Sequence, residues 1–508
     1  MPLAPEDRLP ANLRPLKPER FGYEQARHLL WRAGFGGTPE QINTLASWGI
    51  ERAVDYIVDF DKIEYPSPAA DRFDPDIIRP LTPDEQRQLR IARQTQDEET
   101  VARFRLRDQQ AKRDDRRQMR QIQQWWLTRM IESPRPLEEK LTLFWHGHFA
   151  TSYRTIEDSY HMYLQNQLFR SHAAGNFGEL LFQIIRDPAM LAYLDNDESR
   201  RDRPNENLAR ELMELFSLGV GNYTEMDIKE GARALTGYTF RDDEFVFLEN
   251  NHDSGSKKIL GKRGALDGDD FVTAILETRA CSRFICTKLY RFFVKSVPAE
   301  WKDIPRESRE VITDLASTML RSRYEIRPVL RRLFLSEHFY HDQVMNEQVK
   351  SPVELVVGAV RSLHTPVRDL NILLEAMDLM GQNIFFPPSV KGWDGGRSWI
   401  NTATLFVRQN ILAFLLTGKK PVGYDSMADK QVYESEKLLS WLAETDPSAA
   451  RDPQRVVDFL LRLTLGTAPP TARATLEEFV HDHGGALGRD MITALLLIIT
   501  AMPEYQLC

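Results

Sequence analysis

The chain has 508 residues, a net charge of −8, 42% hydrophobic residues and 28% charged residues. That length supports roughly two to four domain-sized units or one large helical body, and the acidic balance excludes a general nucleic-acid binder. Its three cysteines, Cys281, Cys286 and Cys508, form no CxxC pair, which excludes a disulfide framework and a thiolate zinc site.

The opening MPLAPEDRLPANLRPLKPER contains no apolar signal core, and the late apolar run Ala494 to Ile499 is too short to span a bilayer. The expectation is a cytoplasmic protein without a membrane span. Gly22 to Trp31 reads as a helix with Tyr23, Ala26, Leu29 and Leu30 on its apolar face, ending at AGFGG. Thr38 and Pro39 then supply the N-cap and first position of the next helix. Gly34, Gly36 and Gly37 lack the preceding strand and following GK[ST] of a phosphate loop, so a tight helix-to-helix turn is expected.

Residues 60 to 82 form a Pro- and Asp-rich excursion. From Pro83 to Ile131 the spacing predicts a long charged helical arm, either projecting as a hairpin or lying across the body, with apolar residues sparse until Trp125 and Trp126. An apolar helix ends at Trp145, where Gly147 between His146 and His148 predicts a break. On an extended backbone that HxH pair is a metal-ligand spacing, whereas on a continuous helix the rings point apart.

Polar chemistry concentrates between Asp187 and Phe240. A helix is predicted from Pro204, carrying Leu208, Leu212, Leu215 and Phe216, to the stop at Gly219 and Gly221. A second runs from the Thr224–Asp227 capping box to Gly237. Asn207, Glu211 and Glu214 share one stripe of the first helix, with Arg210 flanking and able to pair with Glu214. Such a face can bind a cation, hold a base or orient a polar substrate, and it is also what a solvated face stitched by ordinary ion pairs looks like.

Phe245 to Phe247 and Lys258 to Leu260 read as short strands flanking NNHDSGSKK, whose His252, Asp253 and Lys257 form a second polar constellation. Helices follow over Gly268 to Val294, Ser308 to Tyr340, Pro352 to Leu363, Val367 to Met380, Asn401 to Leu416 and within Ser435 to Ile499. The Pro- and Gly-rich FFPPSVKGWDGG stretch is a loop whose Trp393, Asp394 and Arg397 can wall a pocket for a planar or sugar-like ligand. The reading is a mainly α, multi-helical body with a small β-hairpin insertion near 240–262. It divides into an N-terminal segment 1–82, the arm 83–132, a central core 133–300 carrying the site, a second lobe 301–420 and a C-terminal segment 421–508.

The phrases WRAGFGGTPEQI, LFWHGHF, DPAMLAYLDN, PNENLARELMELFSLGVGNYTE, ARALTGYTF, HDSGSK, KLYRFFV, FFPPSVKGWDGG and MPEYQL occur in that order, so the chain resembles the bacterial domain of unknown function 1800 from about Phe21 to Cys508. The resemblance groups His146, His148, Asp195, Asn196, Asn205, Glu206, Asn207, Arg210, Glu211, Glu214, His252, Asp253 and Lys257 into one composite site. It also implies a sulfatase-like partner protein and frequent export, from which this chain departs by its leaderless start.

These residues support an enzyme acting on a polar substrate, a glycan or an anionic ester. In that reading His146, His148 and Glu211 ligate a divalent metal that activates water, or Glu211, Glu214, His252 and Asp253 act as acid and base beside Arg210 and Lys257. Asn205, Asn207, Trp393, Asp394 and Arg397 would bind substrate. The alternatives are a non-catalytic helical scaffold or accessory subunit, and a haem or other redox-cofactor protein held by His146, His148 or His252, against which the missing CxxCH motif counts.

Overall fold

The computed structural model describes residues 8–66, 72–420 and 429–508; residues 67–71 of the Pro- and Asp-rich excursion and 421–428 of the C-terminal segment lie outside them. The described residues are mainly α-helical, with two small two-stranded antiparallel sheets. One continuous apolar core draws on residues from Leu13 to Tyr505. No helix among the described residues is long and apolar enough to cross a membrane.

The helix Pro136–His148 is the centre of this body. It is buried along almost its whole length, including Glu138, Glu139 and Lys140 in its first turns. Charges can be buried only when paired and hydrogen-bonded, and each has its partner. Glu139 accepts from Arg129 Nε at 2.8 Å, from Arg170 Nε and Nη2 at 3.0 Å each, and from Trp126 Nε1 at 3.0 Å. Burial pushes its carboxyl up, but Arg170 and Arg129 outweigh burial and hold it below the usual range. Lys140 pairs with Glu354 and donates to the Gly34 carbonyl at 2.8 Å.

The charged arm is two helices, Pro83–Thr95 and Glu98–Glu132. Gln96 turns the chain at φ 55°, and the Asp97 carboxylate caps the second helix at Thr100 N–H, 3.1 Å away. The two helices pack against each other as a hairpin. The long helix enters the core earlier than its apolar pattern suggests, because buried Asp115 accepts from Tyr153 Oη at 2.6 Å and Ser159 N–H at 2.9 Å. Polar residues that find partners extend a buried face beyond the hydrophobic run.

The expected single β-hairpin is two successive ones. Tyr238–Arg241 pairs with Glu244–Phe247, and Lys257–Ile259 pairs with Lys262–Gly264. The turns decide this: Asp242 at φ 52°, and Leu260 with Gly261 at φ 47° and 93°, close two-residue loops that pair each strand with its immediate neighbour. The helix expected from Pro204 begins at Asn207 instead. Asn205 holds the preceding turn open, its Oδ1 accepting from Asn207 N–H at 2.9 Å while its Nδ2 donates to the Asp195 carbonyl at 3.0 Å.

The C-terminal tail closes the body. Leu507 bridges Val349, and Lys350 Nζ donates to the Tyr505 carbonyl at 2.6 Å while lying 4.1 Å from the Trp31 ring centroid and 4.0 Å from that of Tyr505. Replacing Glu139 takes from buried Arg170 its carboxylate partner and leaves Arg129 with Glu138 alone, 3.5 Å away. Glu139→Gln is expected to destabilise the protein by about 3–5 kcal/mol, measured by urea unfolding; a loss below about 1 kcal/mol would mean that the cluster is not what holds the central helix.

Candidate functional site

The central helix runs unbroken through Gly147 to His148, so the predicted break is absent. The backbone at Gly147 is instead where a neighbouring loop packs. The loop that follows Pro388 lies against it so tightly that a Cβ on Gly392, at φ 80°, would stand 2.2 Å from the Gly147 carbonyl oxygen, and a Cβ on Gly147 would touch the Trp393 ring at 3.7 Å.

Because the backbone stays helical, His146 and His148 point apart. His146 Nε2 accepts from Phe385 N–H at 2.9 Å, and its ring lies between Trp126, 5.4 Å away between centroids, and Trp393, 5.5 Å away. His148 Nε2 donates to the Phe216 carbonyl at 2.9 Å, which leaves its buried Nδ1 as an acceptor with no donor. Burial lowers both imidazoles to about 3; for His148 the charge of Lys288 adds to the effect. No three His, Cys, Asp or Glu side chains among the described residues are arranged to hold a metal ion. The ligand set His146, His148 and Glu211 is therefore not assembled, and the helical spacing of the two histidines is the reason.

The other expected members are tied up locally. Arg210 pairs with Glu225 at 3.0 Å and Glu206 at 3.2 Å, rather than with Glu214. Glu214 accepts from Tyr223 Oη at 2.7 Å. Glu211 is partly buried, and burial and Glu214 together raise its carboxyl above the usual range. Asn207 is exposed and Asn205 is spent on its turn. In the second constellation Asp253 pairs with Arg233 at 2.7 Å, His252 Nδ1 meets the Thr236 carbonyl at 2.9 Å, and Lys257 Nζ donates to the carbonyls of Asp253 and Gly255. These contacts pin the hairpins to the helix Glu225–Ala234.

What does converge is a cleft of about 380 Å³ at the C-terminal end of the central helix. His148, Trp393 and Asp394 line it; Arg397, Glu211 and His252 do not. Facing them are Lys288 and Arg291 from the helix Arg279–Phe293, Gln348 from the segment paired to the C-terminal tail, and Glu354 from the helix Pro352–Leu363. Sequence reasoning passed over Lys288, Arg291 and Gln348. A signal was present in KLYRFFV, where Lys288 and Arg291 fall at i and i+3 and so share a face of an otherwise aromatic-rich helix.

The cleft has an excess of positive charge. Glu354 is spent on Lys140, and Lys391 pairs with Asp394 at 2.9 Å. Among the described residues Arg291 has no carboxylate partner; it donates from Nε and Nη2 to the carbonyls of Val297 and Pro298. Lys288 has neither a hydrogen bond nor an ion pair among the described residues, its ammonium lying 5.5 Å from the Phe284 ring centroid. Burial, then repulsion from Arg291 and Lys391, lowers its pKa to about 8.

The family model described as "Protein of unknown function (DUF1800)" matches residues 28–507, a span that contains every residue of the cleft. The chain belongs to the DUF1800 family. No curated protein and no solved structure matches it.

The two histidines make a DUF1800 fold that is sensitive to acid. Both bind protons near their ordinary value of 6.5 when unfolded and near 3 when folded. The unfolded chain thus holds more protons between those values, and stability that is full above about pH 6.5 is lost as pH falls toward 3, by up to about 1.4 kcal/mol per pH unit for each histidine. Thermal melts from pH 7.5 to 4.5 are expected to fall more steeply for wild type than for His148→Phe, which loses some stability at pH 7.5 but one source of the acid slope; parallel curves would refute the assignment.

Proposed function

We propose that this DUF1800 protein is an enzyme that takes a polar, anionic substrate into the cleft at the end of the central helix. The observation that carries the reading is Lys288, a cation left without a partner in a partly buried wall. An ammonium at a cleft wall with no carboxylate beside it is solvated only by water, which a bound anion would replace. The composite site built on Glu211 and His252 is not part of this reading, because those side chains lie outside the cleft.

The chemistry open to such a cleft is hydrolysis of an ester or glycoside that develops negative charge on an oxygen. Lys288 and Arg291 supply positive charge where it develops, without needing to reorganise. Trp393 and Phe292 exclude solvent from one side. The scaffold reading has its own observation: the clusters at Glu139 and at Arg233–Asp253 are closed structural networks.

Anion affinity depends on protonated Lys288, and the charged or titratable groups around it are His148, Arg291, Lys391 with Asp394, and Glu354 with Lys140. The pKa of Lys288 is about 8 in the free protein. Affinity is therefore full below pH 8 and falls about tenfold per pH unit above it, until the pKa of the complex is reached. Calorimetric titration with small sulfate and carboxylate monoanions at pH 7 and 9 is expected to give this loss in wild type, no binding in Lys288→Met, and binding that persists at pH 9 in Lys288→Arg. Equal affinity for Lys288→Met and wild type would sink the proposal.

A further inference from the structure

We propose that Lys288 is a reactive amine, which condenses with the carbonyl group of a small anionic aldehyde or keto acid and holds it in the cleft as an imine. The inference rests on the anionic reading above and adds a covalent step at the same side chain, a chemistry other than ester or glycoside hydrolysis.

The wall around Lys288 suits this step. The side chain lines the cleft with no hydrogen bond and no ion pair among the described residues, so no contact has to break before its nitrogen attacks. Its neighbours are apolar or cationic: the Phe284 ring centroid lies 5.5 Å from Nζ, and Phe292 and Trp393 line the same cleft. The charged groups that face it are Arg291 on its own helix, Lys391 paired with Asp394 on the loop, and Glu354 spent on Lys140, while burial keeps His148 neutral. Nearby cations and apolar walls both disfavour a further positive charge, and a lysine so placed is activated as a nucleophile. With its pKa brought to about 8 by burial, Arg291 and Lys391, roughly a tenth of the amine is unprotonated at pH 7, against roughly a few parts in ten thousand for an ordinary lysine.

Arg291 marks where the negative charge of the substrate sits. Its Nε and Nη2 are engaged by the carbonyls of Val297 and Pro298, and its Nη1 is uncommitted among the described residues and carries its share of the guanidinium charge. Lys288 and Arg291 stand at i and i+3 of the helix Arg279–Phe293 and so are neighbours on one face. An acid whose carbonyl lies close to its carboxylate, as in an α-keto acid, spans the two. Binding at Arg291 then presents the carbonyl carbon to the amine, and proximity accelerates the attack.

The nitrogen lone pair forms the new C–N bond while the carbonyl π pair moves to oxygen. Water in the cleft carries two protons from nitrogen to that oxygen, the C–O bond breaks, and one water molecule leaves. The products are an imine and water, with no change of oxidation state.

The test treats full-length protein with glyoxylate and cyanoborohydride, which reduces an imine to a stable amine, and locates the adduct by intact mass and peptide mapping. Glyoxylamide serves as the neutral counterpart and Nα-acetyl-lysine as the free amine. One adduct per chain is expected, at Lys288. Its rate relative to the free amine is expected to be highest below pH 8 and to fall about tenfold per pH unit between about pH 8 and 10, because the ordinary amine gains its neutral form only there. The preference for glyoxylate over glyoxylamide is expected to be about tenfold greater at Lys288 than on the free amine. Lys288→Arg, which keeps the charge but forms no imine, is expected to lose the adduct and still bind sulfate. Adducts spread evenly over the lysines, or a rate at Lys288 that tracks the free amine at every pH, would overturn the proposal, and sulfate binding in the same protein would leave the anionic cleft standing. Equal preference for the two carbonyl compounds would overturn the anionic substrate class, and absence of sulfate binding with it would remove both readings.

Discussion

A helix that carries Glu138, Glu139 and Lys140 in its first turns can be buried on all sides only if every one of those charges meets an opposite one. In this protein that requirement organises the fold. Glu139 draws in the long helix through Arg129 and Trp126 and the helix Ser159–Ser171 through Arg170, while Lys140 ties the central helix to Glu354 and to the turn at Gly34. Segments from four parts of the sequence are thereby fixed around one axis. Ion pairs of this kind add little net stability over a well-packed apolar core. Their contribution is to specify which helix lies beside which, since any other arrangement strands a charge.

The functional consequence lies at the other end of the same helix. Holding its N-terminal half by charge pairs leaves the C-terminal turn to be positioned by close packing, with Gly392 against Gly147 and Trp393 over both Gly147 and His146. The loop can approach this closely because Gly392 has no Cβ. One wall of the cleft is therefore built on a rigid element, and the cationic wall opposite comes from the helix Arg279–Phe293. Preorganisation of this kind is what a binding site needs and what a surface loop alone does not provide.

The polar phrases that stand out in the sequence divide into two classes once their partners are seen. Most are spent: Arg210 on Glu225, Asp253 on Arg233, Asn205 on its own turn. Lys288, which has no ion pair among the described residues lining the cleft, is inconspicuous in the sequence. A carboxylate stripe such as Glu211 and Glu214 looks the same on a solvated face as in an active site, and only the position of the cleft separates the two.

Local structure was legible from the sequence because its causes are local. The caps at Thr38 and Thr224 each satisfy backbone donors within one turn, and they stand where the sequence places them. The mainly helical fold follows from periodicity, whereas the helix from Asn207 ends at Glu214, short of the expected stop at Gly219. The tertiary structure alone decided which side of the helix His146 and His148 face, that the helix runs unbroken through Gly147, and that Lys288, Gln348 and Trp393 share one cleft. Those outcomes depend on packing and charge pairing between segments far apart in the chain. No spacing rule within one element contains that information.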